Sequence, residues 1–390
     1  MIFAVKRLPD PYVAVIKEIE SLRTTLKFAT SDSLNRWTGL LARTTSARVV
    51  VGTNAMEGVN VTTDDAIAAI DGEEPVLQKE SDRRAIEGYL AAMTYIVQLS
   101  KDAGYVHNEG TLKSLHFMLC SYDLSVNPGR YRPGAVHVSN TATGDVVYQG
   151  ADAALVPGLM KELVDSLNED HGQHQLVRAA MAHLNLTMIH PFRDGNGRMA
   201  RALQTMVLSR GGILAPEFSS IEEYIGRHSA DYYKVLADVG QGSWNPHNDA
   251  LPWIKFALIA HYRQASDLLR RTTDISRLWN ELEKVAKERR INERAVNALA
   301  SAALGYRVKN TSYRHQAGVS DQIAKYDLKI LADAGLLVPH GEKRGRYYSA
   351  GPVVKEVRQM TRTPRVEVDP FAEPEQEQTS LPGFDDEASE

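Results

Sequence analysis

The sequence predicts a mainly α-helical fold with one β-hairpin in its middle and a small helix and hairpin module towards its C-terminus. Three observations carry this. Apolar residues recur every three or four positions through most of the chain, the repeat of one helix face. From Pro128 the pattern changes: Val136 and Val138, then Val146, Val147 and Tyr148, flank Thr143-Gly144-Asp145, which reads as a hairpin. Near the C-terminus, two helical stretches lead into Leu336-Leu337-Val338 and Arg346-Tyr347-Tyr348 around a Gly341 to Gly345 turn, a second hairpin.

In order, residues 1–50 read as an extended start followed by helix, with Val13, Ile16, Ile19, Leu22 and Leu26 as a stripe. Ala47, Val50, Val51 and Ala55 mark one face of a helix over about 46–60 that ends at Gly58. Residues 61–125 read as helical, and Leu112, Leu115 and Leu119 form one of their stripes. Pro157 suits the first turn of the helix after the hairpin. Leu176, Ala180, Leu184 and Met188, joined by Val177 and Met181, predict the next helix; Ala200, Leu203, Met206 and Val207 predict its partner. Residues 219–236 read as one helix, and a helix from Leu251 to Leu269 continues through Ile275 to Ala286.

Composition excludes several classes. Of 390 residues, 43% are hydrophobic and 24% charged, ordinary for a globular protein with two or three cores. The net charge of −4 supplies no global field for nucleic acid. No apolar run approaches membrane-spanning length, so no membrane partner is expected. With Cys120 alone, no intramolecular disulfide can form, and a reducing, cytoplasmic setting is expected. Cys120 itself lies in an apolar stretch and reads as a core residue.

The chemistry concentrates between the two best-marked helices, in His190-Pro-Phe-Arg-Asp194-Gly195-Asn196-Gly197-Arg198-Met-Ala-Arg201. Backbone N–H groups of a glycine-rich turn can converge on an anion, and the helix that follows presents its positive end to the same place. Arg198 and Arg201, three apart, share a face and can reach further phosphate oxygens. Asp194 offers an oxygen ligand suited to Mg²⁺ beside a polyphosphate. His190 can take a proton from an incoming hydroxyl.

This run resembles the motif of the Fic (Fido) family, His-x-Phe-x-(Asp/Glu)-Gly-Asn-Gly-Arg-x-x-Arg, at every fixed position. The resemblance implies a Fic-type helical domain and transfer of AMP from ATP to a Ser, Thr or Tyr hydroxyl of a protein, with Mg²⁺ as cofactor. His190 would be the base and Asp194 the metal ligand; Gly195, Asn196, Gly197, Arg198 and Arg201 would hold the nucleotide. Thr53-x-x-x-Glu57-Gly58 resembles the family's inhibitory motif, with Glu57 forming a two-pronged pair with Arg201 that displaces the terminal phosphate. The hairpin over 135–150 resembles the flap on which a target segment docks by strand addition. In 219–236, Tyr224, Tyr232 and Tyr233 fit the adenine pocket, although His228-Ser229 replaces the usual Asn-Arg pair. Removal of AMP and other nucleotidyl transfers remain open alternatives. Retention of Gly197 favours AMP transfer over the relatives that phosphorylate.

The implied organisation is an N-terminal helical region over 1–110, a catalytic core over 111–270, a small winged helix-turn-helix domain over 271–352, and an acidic disordered tail over 353–390. Between 301 and 350 there are eight Lys and Arg against four Asp and Glu, so either DNA or a protein suits the third region, and a DNA-binding regulator that senses nucleotide is a further alternative. Residues 366–390 hold nine acids and no base, a composition too polar for a core. A homodimer is left open.

Overall fold

The computed structural model describes residues 1–31, 37–73, 75, 79–139, 143–169, 172–211 and 214–372. Helices α1 (Asp10–Ser31), α2 (Thr38–Ala55), α3 (Thr63–Ile70), α4 (Glu80–Lys101) and α5 (Glu109–Cys120) precede the hairpin β1 (His137–Ser139) and β2 (Val146–Gln149). Then come α6 (Val156–Asn168), α7 (Gln175–Ile189), α8 (Asn196–Arg210), the short α9 (Pro216–Ser219) and α10 (Glu222–Arg227), α11 (Ser229–Gly240) and α12 (Leu251–Glu288). The C-terminal elements are α13 (Val296–Ala303), α14 (Asn310–Ala317), α15 (Asp321–Asp333), β3 (Leu337–His340), β4 (Tyr347–Ala350) and α16 (Pro352–Thr361). Both sheets are antiparallel pairs, and the chain is mainly helical as the sequence predicts. Among the described residues no helix is long and apolar enough to cross a membrane.

The centre is the pair α7 and α8. From Leu176 to Ile189 only Arg178 and Thr187 escape burial, and along α8 only Gly197 and Arg210 do. Helices apolar on every side must be walled in; α6 and α12 cover α7, while α4 and α5 cover α8. Asn185, in the middle of α7, accepts from the Phe3 N–H at 2.8 Å and donates to the Phe3 carbonyl at 3.0 Å, tying the extended N-terminus into the core. A second core joins the far half of α12 to α13–α16 through Leu278, Trp279, Leu299, Leu331 and Val354, with Leu26, Trp37 and Leu41 entering from α1 and the start of α2.

Four expectations need correcting. The 219–236 stretch is two helices, because the backbone breaks at His228 (φ −121°, ψ 39°). The polar 306–319 stretch contains α14, whose helical fold is set less by an apolar stripe than by buried Tyr313, the Ser312 hydroxyl that accepts from the Lys309 N–H, and Gly318 at φ 62° as its stop. Residues 353–372, expected within the disordered tail, fold as α16 and a strap along α12. Arg263 Nε donates to the Val368 carbonyl at 3.1 Å, and Phe371 packs edge-on against Tyr12 at 5.0 Å. The acidic residues beyond 372 lie outside the described residues. In the α1 stripe, Val15 rather than Val13 faces the core. Helix α12 runs unbroken across residues 270 and 271, so it belongs to both the central and the C-terminal regions.

Candidate functional site

His190 ends α7 in the left-handed conformation (φ 53°, ψ 59°), which turns the chain sharply into the motif loop. Its Nδ1 faces the Thr187 carbonyl at 3.1 Å, so the proton sits on Nδ1 and Nε2 keeps its lone pair. The ring is half-buried. Burial pushes its pKa down to about 4, against the pull of the Thr187 hydrogen bond, so the imidazole is neutral near pH 7.

The loop is braced by groups distant in sequence. Phe192 is fully buried and stacks on His116 of α5, centroids 3.7 Å apart and planes 5° from parallel. His116 Nδ1 accepts from the Gly129 N–H at 2.8 Å, which leaves Nε2–H to donate to the Asp194 carbonyl at 2.8 Å. Burial drives the His116 pKa to about 4, so this tautomer persists near neutrality. The Asn196 side chain closes the loop on itself, accepting from the Phe192 N–H and donating to the Phe192 carbonyl, both at 2.9 Å. Its amide group is therefore committed, and what Asn196 can offer an anion is its backbone N–H. Arg132 is buried; its guanidinium donates to the carbonyls of His190 (2.7 Å), Ile189 (3.3 Å), Gly134 (2.6 Å) and Ala151. One side chain thus ties the end of α7 to both feet of the hairpin.

Gly195 caps α8 at φ 73°, and a Cβ there would fall 2.4 Å from Cys120 Sγ. Only glycine satisfies both the backbone and the space. At a helix start the first N–H groups lack intrahelical partners; here they belong to Asn196, Gly197 and Arg198. Asp194 is exposed at the rim of this cradle, with its carboxylate free of hydrogen bonds among the described residues. A lone carboxylate beside an anion cradle fits Mg²⁺, which takes one or two protein oxygens and draws the rest from phosphate and water.

Both arginines are buried. Arg198 donates to Tyr122 Oη at 2.9 Å and to the Leu119 carbonyl at 3.2 Å. Arg201 Nε donates to Thr53 Oγ1 at 2.9 Å, and its Nη2 to Glu57 Oε1 at 2.7 Å. Glu57 Oε2 stands 3.9 Å from Arg198 Nε. The expected two-pronged Glu57–Arg201 pair is thus a bridge between both arginines, and its carboxylate lies where a Cβ on Gly197 would meet it at 3.0 Å. Glu57 sits two residues past the end of α2, in a turn closed by Gly58 at φ 74°. Helix α2 itself is pressed onto α10. A Cβ on Gly52 would fall 2.4 Å from the Glu222 carbonyl oxygen, and one on Gly226 would fall 2.7 Å from Gly52 Cα.

Behind Arg201 runs a buried polar chain. Gln204 Nε2 donates to His261 Nε2 (3.2 Å), and His183 Nδ1–H donates to Gln204 Oε1 (2.6 Å). His183 Nε2 must then accept from the Tyr232 hydroxyl (3.0 Å), whose oxygen lone pairs are left towards Arg201. Tyr224 is also buried, whereas Tyr233 is half exposed with its hydroxyl 3.3 Å from the Met56 carbonyl.

The structure brings His190, Asp194, Gly195, Asn196, Gly197, Arg198, Arg201 and Glu57 to one place. Sequence reasoning missed His116, Arg132, Tyr122 and Glu222. Each acts through a partner 58 to 133 positions away, and no local spacing announces it.

The foot of the hairpin lies against His190: a Cβ on Gly150 would fall 3.1 Å from the His190 Cβ. His137 pairs with Gln149 and Val138 with Tyr148, the Tyr148 hydroxyl donates to the Met188 carbonyl at 2.9 Å, and Val146 and Val147 are exposed. At Gln149 the β2 side is occupied by the 242–244 segment, through Gly242 and Trp244, so the outer edge of the hairpin is β1.

Comparison with known proteins agrees with this geometry. The sequence matches the Fic/DOC family over residues 107–208. Protein adenylyltransferase fic-1 of Caenorhabditis elegans is 31% identical over 138 residues, 34% of this chain and 26% of that protein. Protein adenylyltransferase Fic of Nematostella vectensis is 36% identical over 100 residues, 26% of this chain and 21% of that protein. The match therefore spans about a quarter of the length of these relatives. A Fic family protein from Desulfovibrio desulfuricans G20 has the same fold over 89% of this chain and 97% of its own, with TM-score 0.57 and 23% identity. The motif loop and the helices that carry it lie within the stretch, residues 107–208, that matches the Fic/DOC family.

Proposed function

We propose that this protein transfers AMP from ATP to a Ser, Thr or Tyr hydroxyl of a target protein and that Glu57 holds the site closed until it is displaced. The observation that carries the reading is the Glu57 carboxylate 2.7 Å from Arg201, at the start of a helix whose free N–H groups and two buried arginines suit a polyphosphate. In the open site the backbone N–H groups of residues 195–197 take α-phosphate charge, and Arg198 and Arg201 take the β- and γ-phosphates. His190 Nε2 accepts the proton of the acceptor hydroxyl as its oxygen bonds to the α-phosphorus. The bond to the bridging oxygen of the β-phosphate breaks in line, and pyrophosphate leaves. Asp194 would hold Mg²⁺, which would supply charge neutralisation at the phosphates. A target strand paired with the open edge of β1 brings its hydroxyl to His190.

The test is labelling of protein by ATP radioactive at the α-phosphate. Glu57→Gly raises labelling roughly tenfold or more, since removing the carboxylate frees a charge-assisted pair. Adding His190→Ala lowers it by about 10² to 10⁴. Equal labelling of wild type and Glu57→Gly would overturn the closed-site reading; labelling that survives His190→Ala would overturn the assignment of the base. Release of AMP from a labelled target by water, in place of transfer, would move the reading to removal of AMP.

For the C-terminal region, where a DNA or a protein partner is expected, we propose a second activity. The order α13, α14, α15 and a hairpin resembles that of a winged helix-turn-helix, with an isolated bridge from Val308 to Tyr348 beside the hairpin. Helix α15 exposes Lys325, Tyr326 and Lys329. We assign this face to nucleic acid; an electrophoretic shift with genomic fragments, lost in Lys325→Glu/Lys329→Glu, tests it. The single buried thiol suits a reducing compartment, and we place the activity in the cytoplasm.

A further inference from the structure

Glu222 is a buried carboxylate with no role in the chemistry above. It opens α10, is 1% exposed, and accepts the hydroxyl proton of Tyr89, itself fully buried on α4, at 2.7 Å. Its other oxygen is buried without a hydrogen bond of ordinary geometry. Thr53 lies beside it where α2 crosses α10, next to Gly52, whose Cβ would fall 2.4 Å from the Glu222 carbonyl oxygen. The Thr53 hydroxyl already accepts from Arg201 Nε, so its own proton is free to point at Glu222. Burial holds the Glu222 pKa above the ordinary carboxylate value, and Arg201, Tyr89, Thr53 and Ser220 offset only part of that rise.

The arrangement answers a problem that removing Glu57 creates. Arg201 is 2% exposed. In the closed site Glu57 balances its charge; with Glu57 gone and no nucleotide bound, a buried guanidinium would be left without a counter-ion, which is costly. It would then relax towards solvent or to another carboxylate, and lose its aim. We propose that Glu222 is a positioning residue, a permanent counter-charge that acts through Thr53 and holds Arg201 pointed at the terminal phosphate once Glu57 has withdrawn. Tyr232, whose lone pairs face the same guanidinium, supports it from the other side. Thr53 gains a reason to be a hydroxyl residue: it relays between an arginine and an acid and is not merely a helix residue near Glu57.

The inference rests on Arg201 holding the γ-phosphate, so the experiment measures that separately. In the Glu57→Gly protein, calorimetry gives the Kd of ATP and of ADP, with Arg201→Lys as the reference for losing the γ-phosphate contact. Glu222→Gln is expected to weaken ATP about tenfold while leaving ADP within twofold, as Arg201→Lys does; a structural defect would weaken both alike. Tyr89→Phe, which removes a hydrogen bond that favours the Glu222 anion, shifts the same ratio in the same direction by less and serves if Glu222→Gln fails to fold. An unchanged ratio of ATP to ADP affinity in both variants, with Arg201→Lys lowering it, would sink the role of Glu222 alone. A ratio unchanged even in Arg201→Lys would sink the phosphate assignment, and the Glu222 proposal with it.

Discussion

At the scale of single residues, the site is governed by how little room surrounds it. Gly195 has a positive φ, and a Cβ would meet Cys120 Sγ at 2.4 Å, so Gly195→Ala incurs both backbone strain and overpacking. We expect a loss of roughly 2 to 4 kcal/mol in denaturant unfolding, with partial recovery in Gly195→Ala/Cys120→Ala, which removes the sulfur but not the strain. Full recovery would mean that φ imposes nothing here. The residues of the motif were legible in the sequence because they are contiguous: one loop supplies the imidazole, the carboxylate, the amides and the guanidiniums. Their supports were not. Arg132 reads as a turn residue and His116 as an isolated histidine, because burial and the carbonyls they meet come from distant segments. Asn196 shows the reverse error, since its place in the motif suggests a ligand while its side chain is spent on Phe192.

At the scale of elements, α7 and α8 were the plainest because their apolar repeats are dense, and the flap hairpin because alternation around Thr143-Gly144-Asp145 has few other outcomes. Helix α14 was hidden by its polarity, and the break at His228 by apolar spacing that continues across it. The crossing of α2 and α10 was equally invisible, since it depends on two glycines 174 positions apart, Gly52 and Gly226. It leads to a prediction. Gly52→Ala drives a methyl into the Glu222 backbone, so α2 must lift and carry Glu57 off Arg201. Thermal unfolding should fall by several degrees, a cost of about 1 to 3 kcal/mol, while ATP labelling rises towards that of Glu57→Gly. A less stable protein whose labelling does not rise would show that Glu57 is placed by its own turn, independently of the helix.

At the scale of the whole molecule, several histidines are kept neutral by burial. His116 and His183 are fully buried with pKa values pushed down to about 4 and about 3, and His261 is driven well below its ordinary value. Each takes up a proton near pH 6.5 in the unfolded chain but not in the fold. Their contribution is complete above about pH 6.5 and is lost as pH falls towards 4, at about 1.4 kcal/mol per pH unit for each. Melting temperature should therefore drop steeply between pH 7 and pH 5, and less steeply in His116→Gln. A flat profile over that range would show that these rings are solvated when folded. Composition indicated the number of cores but not their connection: the 38 residues of α12 pass from one core into the other, and Leu26 and Trp37 of the N-terminal region complete the second.

On the proposed reading, in which a target strand pairs with β1, the Arg132 guanidinium has a consequence for choice of acceptor. It fastens the carbonyl of His190 and both ends of the hairpin to one rigid plane, so the distance from the β1 edge to the imidazole is a built-in gauge. A peptide laid along that edge presents its side chains at a set depth. Reach, more than the letters around the modified position, then decides which hydroxyls are touched, and shortening or lengthening the acceptor by a methylene becomes the sharpest discrimination this surface can make.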